Sequence, residues 1–241
     1  RAIPGISLGY GQSNGSDELR ELIAALYPGA SEANVVVTNG SAEANFIAMW
    51  ELLEGGGEAA IVMPAYMQTH GLADAFGASV REIWLREEHG WQPDPDEIAS
   101  AVTSRTRVVV ITNPNNPTGA VLSAEARDAL IRAADHAGAW ILADEVYTGA
   151  ELRGPETRTF WGEYPRVIAT GSLSKAYGLP GLRIGWVTAP ADMAAKLWAR
   201  KDYTTIAPGN LTDRLAALAL DPTLRPRLLQ RTRAILHAGL E

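Results

Sequence analysis

The sequence has no cysteine at any of its 241 positions, which excludes disulfides and thiolate metal sites within it. No apolar run approaches the ~20 residues that a membrane-spanning helix needs. Basic residues are outnumbered, 21 Lys and Arg against 28 Asp and Glu, for a net charge of −7 and an isoelectric point near 5.2. Without a basic stripe to neutralise phosphates, nucleic acid is not an expected partner. The seven tryptophans do not interleave with basic residues and read as packing groups, not as platforms for stacked bases. His70, His89, His136 and His237 show no ligand spacing, and no metal is expected. No Gly-x-Gly-x-x-Gly opens a βαβ unit, which sets aside a dinucleotide-dependent enzyme. Repeats and low-complexity tracts are absent. The chain begins at Arg1 without a methionine and ends at Glu241 inside a polar helical pattern, so the expectation is a piece of a longer soluble, cytoplasmic protein.

Alternation is what the sequence does have. Short, nearly continuous apolar runs at 35–37, 59–63, 108–111, 140–143 and 167–169 are bounded by turn residues and read as strands buried on both faces. Longer helix-like segments lie between them at 17–27, 41–54, 66–76, 94–103 and 123–137, with Ser16, Asp94 and Ser123 placed to cap their starts. This order predicts an α/β fold with a mainly parallel sheet, whose ligands sit beyond the carboxyl ends of the strands. After residue 190 the pattern turns wholly helical, at 191–203, 209–220 and 223–238. The expected organisation is an N-terminal segment over 1–30, a ligand-binding large domain over 31–190, and a helical connection over 191–241 leading toward a second domain.

Three motifs fall at strand ends, and their order is more specific than any one of them. Asn113-Pro114-Asn115-Asn116-Pro117-Thr118-Gly119 follows the run 108–111, and Asp144-Glu145-Val146-Tyr147 follows the run 140–143. Ser172-Leu173-Ser174-Lys175 follows a strand expected over 166–171, with Arg183 eight residues beyond the lysine. A lysine flanked by hydroxyls on such a loop can attack an aldehyde, while a nearby hydroxyl and guanidinium hold a phosphate. Asp144 closes an apolar strand, where an unpaired carboxylate is costly, so it needs a cationic partner. A strand-end cap or a magnesium ligand is the alternative for it, and a turn asparagine the alternative for Asn116. Gly40-Ser41-Ala42 opens a helix after the run 35–37, offering N–H groups and the positive end of the helix dipole to an anion. Arg183 lies between Leu182 and Ile184-Gly185-Trp186-Val187, a stretch that reads as a buried strand.

These residues resemble fold type I pyridoxal phosphate enzymes, specifically the class I/II aminotransferases, over Tyr10 to at least Arg183. The resemblance implies a mainly parallel, seven-stranded-type sheet sandwiched by helices, a small C-terminal domain largely missing, and pyridoxal 5′-phosphate as cofactor. It implies that Lys175 is the Schiff-base lysine, that Asp144 holds the pyridine nitrogen protonated, and that Asn116 and Tyr147 reach the phenolic oxygen. The phosphate falls to Gly40, Ser41, Ala42, Ser172 and Arg183, with Ser174 either assisting or only satisfying its own loop. Tyr66 sits where the family stacks a ring on the pyridine, with plain core packing as its alternative. It is also four residues before His70, on one expected helical face. Tyr10 begins Tyr-x4-Gly15-x3-Leu19-Arg20, similar to the family segment whose tyrosine contacts the phosphate of the neighbouring subunit. That implies a homodimer; packing on its own chain is the alternative.

Catalysis then rests on Lys175, Asp144 and Tyr66, and the implied reaction moves an amino group between an L-amino acid and a 2-oxo acid. Two other readings stay open. Tyr10–Gly15 and Asn39–Asn45 are not the commonest forms in biosynthetic aminotransferases, and they carry a weaker likeness to lyases or cyclases of the capreomycidine synthase kind. A non-catalytic aminotransferase-like sensor would also keep Lys175, Asp144 and Arg183. The family's arginine for the substrate carboxylate belongs to the small domain, so no residue here is assigned to it.

Overall fold

The computed structural model describes residues 5–240; the ends at Arg1 and Glu241, where cuts are expected, lie outside the described residues. Seven strands form one sheet in the order β1-β7-β6-β5-β4-β2-β3. They are β1 (Val35–Thr38), β2 (Glu58–Met63), β3 (Ser79–Trp84), β4 (Thr106–Thr112), β5 (Trp140–Asp144), β6 (Val167–Ser172) and β7 (Gly185–Thr188). Strands β2 to β6 run parallel. β7 is antiparallel to both neighbours, β1 and β6. The loop 173–184, which carries Lys175 and Arg183, makes that reversal.

Side chains alternate across the sheet, and each face buries its own layer. Val109, Ile111, Ile141, Ala143, Val167 and Ala169 pack on one face with α1 (Asp17–Ala24), α4 (Pro95–Ala101) and α5 (Ala124–Ala137). Val108, Val110, Leu142 and Ile168 pack on the other with α2 (Ser41–Leu53) and α3 (Gln68–Ala75). Each fully buried Leu, Ile or Val contributes about 1.5–3 kcal/mol, which explains the continuous apolar runs Val108–Ile111, Ile141–Ala143 and Val167–Ala169 in the central strands. β3 escaped the sequence reading because it is an edge strand whose only buried residue is Ile83.

Ser16, Asp94 and Ser123 accept hydrogen bonds from Leu19, Asp96 and Ala126, capping α1, α4 and α5 as expected. α3 begins at Gln68, not at 66, because Tyr66 lies in the turn before it. Tyr66 and His70 therefore share no helical face, and His70 instead faces Glu82 of β3 at 3.6 Å. After β7 come three separate helices, α6 (Ala191–Lys201), α7 (Asn210–Leu220) and α8 (Arg225–Ala238). α6 inserts Met193 and Leu197 into the α2 layer, while α7 inserts Ala216 and Leu220 beside Leu19 and Ile23 of α1. Asp213 of α7 accepts the Ser16 N–H at 3.0 Å and the Ser16 hydroxyl at 2.5 Å, tying both segments together. Among the described residues no helix is long and apolar enough to cross a membrane.

The first residue of β7 meets the start of α2 at bare-backbone distance. A Cβ on Gly185 would lie 2.4 Å from the Gly40 carbonyl carbon and 2.5 Å from the Ser41 nitrogen. Backbone cannot swing away as a side chain can, so Gly185→Ala is expected to destabilise by roughly 1–3 kcal/mol. Urea unfolding checks this, and an unchanged midpoint would show that the helix start can retreat.

Candidate active site

A cleft of about 240 Å³ opens where the carboxyl ends of β4, β5 and β6 meet the N-terminus of α2. Alternation decides which acid enters it. Asp144, last in β5, shares the face of Leu142 and α2, whereas Glu145 turns to the opposite layer. Asp144 is buried; its Oδ2 accepts the Asn45 amide at 3.0 Å and its Oδ1 accepts the Val146 N–H at 3.3 Å. Burial pushes its carboxyl above the usual range, opposed by Asn45 and Val146. No cation is within hydrogen-bonding distance of it among the described residues, so the carboxylate has room for a cationic partner.

Lys175, exposed on the loop after β6, places Nζ 5.9 Å from the centre of the Tyr147 ring. Burial, then the Asp144 charge, then Tyr66 push the Tyr147 hydroxyl upward. Asn116 lines the same cleft from the irregular loop after β4. That loop is braced by Asn115, whose amide donates to the Pro64 carbonyl at 3.0 Å and whose oxygen accepts from the Thr118 N–H and hydroxyl. The same bond fixes the segment carrying Tyr66, which is 56% exposed at the cleft and so is not core.

At the other end, Ser41, Ala42, Ser174 and Arg183 come together. The Glu43 carboxylate reaches back to accept the Asn39 N–H at 2.6 Å, securing the start of α2. First-turn N–H groups of a helix have no acceptor of their own. Gly40 adopts φ +88°, and a Cβ there would sit 2.4 Å from Arg183 Nη2, so the glycine makes room for the guanidinium. Arg183 is not inside a buried strand as expected. It is exposed, with φ +51°, two residues before β7, because the chain turns there to bring the guanidinium over α2. Among the described residues no carboxylate pairs with it, and its Nη1 donates to the Pro180 carbonyl at 3.1 Å.

The two serines exchange the places expected of them. Ser172 is buried behind the cleft, and its Oγ accepts the Ser174 N–H at 3.2 Å, while Ser174 itself lines the cleft. Tyr10 lines no part of this cleft; it is 89% exposed and bridges Gly209. Asn45, Thr112, Val146 and Pro180 also line the cleft and were not singled out by sequence. Asn45 did carry a signal, as a lone amide in the apolar run Ala44–Met49.

A second cavity, of about 270 Å³, lies on the far face and is lined by Glu145, Tyr27, Tyr177 and Arg225 among others. Both of its arginines are already committed, Arg225 to Glu156 and the Tyr177 hydroxyl and Arg158 to Glu163. The first cleft instead brings together a buried carboxylate and a lysine and an arginine without carboxylate partners among the described residues.

The family described as aminotransferase class I and II matches residues 4–240. The chain belongs to that family. It is 38% identical over 224 residues to capreomycidine synthase of Streptomyces vinaceus, covering 91% of this chain and 57% of that protein. It is 34% identical over 230 residues to a probable N-succinyldiaminopimelate aminotransferase of Mycobacterium tuberculosis, covering 91% of this chain and 58% of the other. The structure of a PLP-dependent aminotransferase from Streptococcus suis matches with a TM-score of 0.91 at 35% identity, over 99% of this chain and 63% of that one. This aminotransferase-family chain thus spans less than two thirds of the length of these relatives. Family membership implies pyridoxal phosphate as cofactor. The donor set fits it: an unpaired guanidinium over a helix start suits a phosphate, and a buried carboxylate lacking a cation suits a protonated ring nitrogen.

Glu145 makes stability depend on pH. Its Oε1 accepts the Thr159 hydroxyl at 2.9 Å and the Phe160 N–H at 2.8 Å, yet burial pushes the carboxyl from 4.5 up to about 7. Below pH 4.5 both folded and unfolded chains are protonated there and nothing is lost. As pH rises toward 7 the unfolded chain ionises first, so stability falls, by roughly 3 kcal/mol in total. Glu145→Gln is expected to remove that fall, measured as the difference in unfolding free energy between pH 5 and pH 8; parallel curves for parent and variant would refute it.

Proposed function

We propose that the chain is the cofactor-binding part of a pyridoxal phosphate-dependent aminotransferase that moves an amino group between an L-amino acid and a 2-oxo acid. The observation that carries this reading is the convergence of Asp144, Lys175 and Arg183 on one cleft. Pyridoxal phosphate, when bound, supplies an electrophilic aldehyde and an electron-withdrawing ring. Arg183, Ser174 and the first N–H groups of α2 would hold the phosphate. Asp144 would keep a proton on the ring nitrogen, Asn116 and Tyr147 would donate to the phenolic oxygen, and Tyr66 would cover the ring face. Lys175 Nζ would anchor the cofactor and move a proton at the substrate Cα. In this reading 31–190 is the cofactor-binding domain and 191–241 leads toward a small domain. The exposure of Tyr10 supports a homodimer in which it reaches the neighbouring site.

A second reading is favoured by one observation, the 38% identity to capreomycidine synthase, which exceeds that to the two aminotransferases above. The same cradle would then serve lyase or cyclase chemistry.

Borohydride reduction of the full-length, cofactor-loaded protein is expected to leave the cofactor on the peptide that contains Lys175. Lys175→Ala should show no label and at least ~100-fold lower turnover. Transfer of ¹⁵N from a labelled amino acid to an oxo acid supports transamination, and consumption of the amino acid without such transfer favours the second reading. A label on any other lysine would overturn both.

A further inference from the structure

Asn45 stands one helical turn after Ser41, so the helix that begins at the phosphate end of the cleft also reaches Asp144. The residue is 1% exposed within an otherwise apolar run, and an amide that deep must place its donors and acceptor. Its Nδ2 donates to Asp144 Oδ2 at 3.0 Å. Its Oδ1 accepts from the Thr170 hydroxyl, also at 3.0 Å. Thr170 is fully buried and lies beside Asp144 in the β5–β6 register. Chemistry sets the direction of this row. When ionised, Asp144 can only accept, which sets the amide NH₂ toward it and leaves the amide oxygen to take the Thr170 proton.

From this geometry we infer that Asn45, braced by Thr170, is a positioning residue that orients the Asp144 carboxylate and, as a donor to it, favours its ionised form before any ligand enters the cleft. The inference rests on the proposed role of Asp144 toward the ring nitrogen. The row stiffens the acid from one side: Thr170 holds the amide, the amide holds Oδ2, and the Val146 N–H holds Oδ1. Neither donor occupies more than one lone pair of its oxygen, which leaves acceptor capacity on the cleft side.

Besides Asn45, the Val146 N–H, the Thr170 hydroxyl and the Lys175 charge favour the ionised form at this position. The titratable groups around Asp144 are Lys175 on the loop after β6, Tyr147 and Glu145 on its own chain end, Tyr66 from the segment after β2, and Arg183 ahead of β7. Lys175 favours the charge at a distance, Glu145 opposes it when ionised, and neither hydrogen-bonds the carboxylate. Burial raises Asp144, and the Asn45 amide is the strongest influence against that rise. Losing the amide leaves an acid that stays protonated to higher pH. A protonated Asp144 cannot support a positive ring nitrogen, so function is lost from the acid side at a higher pH than in the parent.

The experiment uses the full-length protein and reads the pH dependence of pyridoxal phosphate affinity alongside that of kcat. Asn45→Leu, which keeps the volume and removes the amide, is expected to move the acid limb of both profiles upward by about one pH unit. Thr170→Val should move it in the same direction, and Thr170→Ser, which restores the hydroxyl, should bring it back. If Asn45→Leu does not fold, as judged by circular dichroism, the Thr170 pair carries the test. Acid limbs that coincide with the parent in Asn45→Leu, or in Thr170→Val, overturn the inference while Asp144→Asn still loses affinity and turnover. An Asp144→Asn protein that behaves like the parent overturns the role of Asp144 itself, a result distinct from the first.

Discussion

A carboxylate buried at the end of an apolar strand is expensive unless donors surround it, and the site is organised around meeting that demand at Asp144. β5 is buried along Ile141–Ala143 and Asp144 itself is only 6% exposed, so the acid is poorly hydrated. Its compensation comes from α2 through Asn45 and from the turn after β5 through the Val146 N–H. The open side of the carboxylate faces the cleft, where the proposed function puts the cofactor's ring. Under the proposed function, burial that would be a defect in an ordinary strand becomes a means of selecting a cationic partner.

The end of the cleft at Ser41 and Arg183 depends on a different constraint, the close approach of two backbone segments. Gly185 at the start of β7 lies against Gly40 and Ser41, leaving no space for even a methyl group. That contact seats the start of α2 beside the turn carrying Arg183, whose guanidinium fills the space next to Gly40. A helix start and an arginine together attract an anion more strongly than either alone. Because α2 supplies both this terminus and Asn45, one rigid element relates the two ends of the site.

Adjacent acids show how much the pleat of a strand decides. Asp144 and Glu145 are neighbours with the same charge, yet successive side chains point to opposite faces. Asp144 faces a cleft with a lysine and an arginine. Glu145 lies buried on the opposite face, beside the second cavity and tied to Thr159 and Phe160, where burial raises its carboxyl.

Strand and helix identity were largely legible in the sequence, because apolar runs and capping residues act locally and Ser16, Asp94 and Ser123 cap where their chemistry says they should. The order of the Asn-Pro-Thr-Gly, Asp-x-x-Tyr and Ser-x-Ser-Lys segments likewise located the cleft, since parallel α/β sheets gather their strand ends on one side. β3 was illegible because an edge strand does not need an apolar sequence. The helical face expected for Tyr66 and His70 failed because the chain turns before α3 begins. Which of Ser172 and Ser174 lines the cleft, why Gly40 and Gly185 must be glycine, and that Asn45 and Thr170 meet Asp144 were decided only by the tertiary structure. Those facts depend on contacts between residues up to 145 positions apart, as Gly40 and Gly185 are, and no local pattern encodes them.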